Sequence, residues 1–163
     1  MKNHKGFSLV ELIIVMVVIG ILSSMFMLSS SESLSNASAN NIITNLRNFS
    51  MAAMAYYTDN IDTFGKTPNK TISLSDVTPY MHNEGNVPDK DNYIVKNSSG
   101  TWWAGYSVAG IADGPKVRGK LQAHAEEYGL RGSGNDTPPA KGVTAYYKST
   151  DKYVWIQIRS SRN

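Results

Sequence analysis

Cysteine is absent from this 163-residue chain, which excludes a disulfide framework, thiolate chemistry and cysteine-ligated metal sites. Histidine is scarce, at His4, His82 and His124, and only His124 has an acid at helical spacing, Glu127 three residues on. No third ligand is evident, so a solvated helix face outweighs a metal site there. Asp89-Lys90-Asp91-Asn92 lacks the spaced acids of a calcium loop and reads as a turn. There is no serine elbow, no phosphate-cradling glycine loop and no carboxylate dyad, so neither an enzyme nor a cofactor is indicated. A clustered excess of base is also missing. Without Lys2 and Lys5 the 16 Lys and Arg fall to 14, against 13 Asp and Glu. A polyanion-binding protein would keep such an excess.

What is present in quantity is apolar sequence near the N-terminus. Residues 7–28 hold only Ser8, Glu11, Ser23 and Ser24 as polar side chains. As a helix the stretch measures roughly 33 Å, close to the hydrocarbon thickness of a bilayer. A soluble helix of that length would show a polar face, and this one does not. Lys2 and Lys5 precede it, so the positive-inside bias places the N-terminus in the cytoplasm and the rest of the chain outside. Two readings follow. One is a secretory signal peptide cut after the small-x-small triplet Ala37-Ser38-Ala39, releasing a soluble domain. The other is a retained anchor processed at its front end. The first is disfavoured by the polar residues between Leu28 and Ala37, and by Glu11 inside the apolar core.

The residues from Gly6 to Ile13, GFSLVELI, resemble the type IV prepilin signature. A short basic leader ends in Gly6, Phe7 follows, Glu11 is the fifth residue of the mature chain, and an apolar tract continues without a break. The resemblance covers about 25 residues, and the fixed spacing of its parts makes it specific. It implies that a prepilin peptidase cuts between Gly6 and Phe7, and that the same enzyme methylates the Phe7 amino group. It also implies that the helix containing Leu9, Val10, Leu12, Ile13, Val17 and Ile21 becomes the core of a helical homopolymer. The implied partners are other copies of the chain, the peptidase/methyltransferase, the assembly machinery of the cytoplasmic membrane and, before assembly, lipid. The implied location is that membrane first and an extracellular pilus afterwards. A lone carboxylate in a bilayer costs about 3 kcal/mol on insertion scales and calls for a partner. Glu11 lies roughly 6 Å along the helix from the Phe7 amino group. Among staggered parallel helices it can meet the N-terminus of a neighbour, which would set register.

The expected organisation is α+β: leader 1–6, transmembrane helix 7–28, amphipathic helix 29–60 and a β-rich head 61–163, the pilin α/β roll. Ile42, Ile43, Leu46, Phe49, Ala53, Met54 and Tyr57 recur at three- and four-residue spacing and form the apolar stripe, with an end at Asp59-Asn60. The anchor holds no proline, which leaves Gly20, Ser23 and Ser24 as its soft points, with local melting expected near residues 20–38 in a filament. Residues 61–92 read as irregular. Tyr93-Ile94-Val95 and residues 102–108 form a hairpin about Ser99-Gly100, and residues 116–128 a helix capped by Gly129. Residues 132–142 form a loop, and 143–148 with 152–158 a second hairpin. Trp102 and Trp103 point to opposite faces of a strand and cannot make one stacking platform, so nucleic acid is disfavoured. Lys116, Arg118 and Lys120, with Arg159 and Arg162, read as solubilising charge. The cysteine-free C-terminus lacks the disulfide loop of many pilins, which keeps a minor pilin or a pseudopilin of a secretion or competence system as the alternative.

Overall fold

A computed structural model describes residues 7–66, 72–81, 90–98, 100–140 and 142–160. It divides into two compact units, Met1–Leu34 and Ser35–Asn163. Helix α1, Leu9–Asp59, contributes to both. Within the first unit α1 has no buried face. Every residue from Phe7 to Met27 is exposed, as expected of a segment whose neighbours are lipid or other chains. Its serines do not break it: Ser24 Oγ donates to the Ile21 carbonyl at 2.7 Å and so meets its own hydrogen-bonding need inside the helix. α1 stops where the sequence suggests, with the Asn60 side chain donating to the Tyr56 carbonyl at 3.0 Å.

The second unit is α+β. Strands β1 (Tyr93–Ser98), β2 (Thr101–Ser107), β3 (Arg131–Ser133) and β4 (Tyr153–Ser160) form one antiparallel sheet in the order β1-β2-β4-β3. Tyr93 opposes Tyr106 and Val95 opposes Ala104, and beyond them Val154 and Ile156 continue the same face. That face packs on the second half of α1. Ala39, Ile42, Ile43, Leu46, Phe49, Ala52 and Ala53 are all buried there. Phe49 lies 4.8 Å from Tyr93 between ring centroids, and Tyr57 meets Trp102 edge-on at 5.8 Å. Burying a side chain such as Leu46 or Phe49 stabilises by about 1.5–3 kcal/mol. Met54, placed on the apolar stripe by spacing, is exposed. It follows Phe49 by five residues, which turns it away from the sheet, and Ala52 and Ala53 take the contact.

The rest of the unit closes the core from its ends. Short helices α2 (Ile61–Lys66) and α3 (Leu74–Val77) follow α1, so the stretch expected to be irregular holds helical turns. The helix expected over 116–128 starts earlier and is two: α4, Gly114–Ala123, and α5, Ala125–Tyr128, with the break at His124. Pro115 occupies the first turn of α4, where its missing N–H costs nothing. Gly129 caps α5 at φ 65°, in the left-handed region that favours glycine.

The second hairpin is corrected. Residues 143–148 contribute only an isolated bridge from Tyr146 to Arg131. β4 already pairs with β2 on one side and with β3 on the other, so no edge is left for them. β3 itself occupies the start of the expected 132–142 loop.

The other sheet face is covered too. Trp103 and Trp155 point there and are buried. Lys96 Nζ reaches the carbonyl of Asp136 at 2.8 Å and its carboxylate at 2.6 Å, which ties the segment 134–140, with Pro138 and Pro139 buried, to that face.

Candidate processing and assembly segment

The features singled out in the sequence lie at the start of α1. Gly6 and the basic leader are outside the described residues. Phe7 and Ser8 precede the helix, and Phe7 is 90% exposed. Leu9 is the first helical residue, and Val10, Leu12, Ile13, Val17 and Ile21 follow, all exposed.

Glu11 is not free in the single chain. Its Oε2 accepts the Ser8 backbone N–H at 2.9 Å, and Ser8 Oγ accepts the Glu11 backbone N–H at 3.2 Å. This is a reciprocal capping box. It satisfies two of the four N–H groups that the first helical turn leaves without partners. The first intrahelical bond runs from the Leu12 N–H to the Ser8 carbonyl at 3.3 Å, which makes Ser8 the residue that starts the helix. Sequence reasoning missed Ser8. Its signal is the Ser-x-x-Glu spacing ahead of an apolar run.

Among the described residues α1 is the one helix long and apolar enough to cross a membrane, and none of its most apolar stretch is buried. Residues 1–27 match the family model of the prokaryotic N-terminal methylation motif. The chain carries a prepilin-type N-terminus. The prepilin-type segment covers 27 of the 163 residues, and the matched description concerns that segment. Nothing among curated proteins and nothing among solved structures matches the chain.

The remaining candidates lie in the second unit and do not converge. No group of three metal-ligating side chains occurs among the described residues. His124 Nδ1 and Glu127 Oε2 are 3.1 Å apart on an exposed surface. Hydrogen bonds from His124 and Tyr128 lower the Glu127 carboxyl below its ordinary value, and Arg47 stacks 4.4 Å over the Tyr128 ring. The Arg47–Tyr128 contact ties α5 to α1. Of the calcium candidate, Asp89 is outside the described residues, and Asp91 lies in a 3₁₀ turn, Lys90–Asn92. Trp102 and Trp103 do face opposite sides of β2, and both are buried, so neither offers a ring face to solvent. Arg118 folds back onto its own helix, its Nε donating to the Gly114 carbonyl at 3.1 Å. Arg162 is outside the described residues.

A groove of about 290 Å³ opens between α1 and the sheet, lined by Ser38, Asn41, Asn45, Tyr93, Tyr106 and Ile111 among others. It holds no charged group and no acid–base pair, and its Asn45 amide is engaged by the Tyr93 hydroxyl at 3.1 Å.

Proposed function

We propose that this chain is a structural subunit of a type IV pilus, made as a membrane-anchored precursor. In this reading a prepilin peptidase cleaves between Gly6 and Phe7, the Phe7 amino group is methylated, and the subunit polymerises through α1. The observation that carries it is a fully exposed apolar helix, interrupted by one acid, inside a segment that matches the N-terminal methylation motif. The exposed faces of Leu9, Val10, Leu12, Ile13, Val17 and Ile21 need a cover. Lipid supplies it before assembly and neighbouring helices supply it in the filament.

Glu11 gives the assembly its register. A carboxylate in an apolar bundle is strongly destabilising unless a positive group meets it, so the stagger that places it beside a neighbour's Phe7 amino group is selected over others. The positive-inside bias directs the second unit outward, where it would form the filament surface. The lack of a disulfide loop keeps a minor pilin or a pseudopilin as the second reading.

Shearing filaments from the native cell tests the proposal. The account expects this chain as the repeating subunit, and expects Glu11→Ala to leave the precursor in the membrane fraction with no filaments. A chain absent from the filaments, with Glu11→Ala indistinguishable from wild type, would contradict it.

A further inference from the structure

We infer that Ser8 is a positioning residue for N-terminal processing: with Glu11 it fixes the helix start at Leu9 and keeps Phe7, the residue that follows the cut, outside the helix. The inference rests on the processing reading above.

The membrane environment makes the helix start consequential. Unpartnered backbone N–H groups are costly near hydrocarbon, and a helix can satisfy them by extending upstream. The capping box weakens that incentive by bonding two of the four such N–H groups, those of Ser8 and Glu11, to side chains. Phe7 is accordingly non-helical and almost fully exposed.

Hydrolysis of the Gly6–Phe7 bond adds water to the Gly6 carbonyl carbon and breaks the C–N bond. It leaves a carboxylate on Gly6 and an amino group on Phe7. If α1 extended by one turn, the Gly6 carbonyl would accept the Val10 N–H and the bond would lie within the helical backbone, shielded from attack. By holding the helix start at Leu9, with Phe7 outside it, the Ser8–Glu11 box opposes that extension.

The test compares Ser8→Thr with Ser8→Val in the full-length chain. The two side chains have nearly the same shape, but only threonine can cap a helix. The initial rate of conversion by a prepilin peptidase is read from the mass of the product, and the helix start is read from the backbone carbon chemical shifts of Phe7 and Ser8 in micelles. Ser8→Thr is expected to match wild type. Ser8→Val is expected to be cut about fivefold more slowly, the factor corresponding to loss of an average N-cap, with Phe7 drawn into the helix. Two results overturn the inference while leaving the processing reading intact. One is Ser8→Val cut as fast as Ser8→Thr. The other is slow cutting of Ser8→Val with an unmoved helix start, which would mean that the enzyme contacts Ser8 directly. A wild-type chain that the peptidase does not cut at Gly6–Phe7 overturns both.

Discussion

The six-membered ring of Trp155 lies against the backbone of Gly105, its cross-strand partner, so closely that a Cβ at position 105 would overlap the ring. The indole cannot readily swing away, because its Nε1 donates to Ser133 Oγ at 2.8 Å. Glycine in mid-strand usually weakens a sheet; here it admits a large aromatic side chain to the face opposite α1. Gly105→Ala should therefore destabilise by about 1–3 kcal/mol, the usual cost of overpacking. Thermal unfolding of the full chain in micelles, followed by tryptophan fluorescence, would show it as a lower midpoint.

The helix–sheet contact gives a paired prediction. Phe49 is 2% exposed and packs against the Tyr93 ring, whereas Met51, two residues on, is 65% exposed. Phe49→Ala should cost about 3–5 kcal/mol. Met51→Ala should stay within about 0.5 kcal/mol of wild type. Denaturant titration of both variants would check that α1 presents the face described.

Tyr147 offers a substitution expected to do no harm. Its side chain is fully buried and its hydroxyl has no hydrogen-bond partner. Burial raises the phenol well above its ordinary titration range, with the Asp151 charge adding to it, against a lowering by Arg118. The hydroxyl is therefore neutral at any working pH and costs its desolvation without return. Tyr147→Phe should be neutral or stabilising, by up to about 1 kcal/mol, in the same titration.

Lys96 and Asp136 predict a pH dependence. Hydrogen bonding and the positive charge of Lys96 hold the Asp136 carboxyl below its ordinary value. A carboxyl lowered in the folded state contributes stability above its unfolded titration range and loses it as pH falls through the folded one. Asp136→Asn should thus be less stable than wild type at neutral pH, with the gap closing in acid. Both partners are exposed, so added salt should narrow the same gap. Melting curves at neutral and acidic pH, with and without salt, would read both effects.

Much of this architecture was legible in the sequence because its signals are long or regular. The apolar run and the three- and four-residue spacing that follows specify α1 over 51 residues. The alternation of Val154, Ile156 and Ile158 with Tyr153, Trp155 and Gln157 specifies β4. Local pattern does not specify partners. Residues 143–148 resemble a strand but find both sides of β4 taken and make only a bridge to Arg131, while Arg131-Gly132-Ser133 forms a strand too short to show alternation. At the candidate segment, Glu11 reads first as an isolated charge among apolar residues. The three-dimensional arrangement adds its bond to Ser8.

The most direct test of the whole account is the mass of the mature N-terminus, taken from membrane and sheared extracellular fractions of the native cell. The account predicts a chain that begins at Phe7 and carries one additional methyl group, enriched in the sheared fraction. A soluble chain beginning at Asn40 would contradict it.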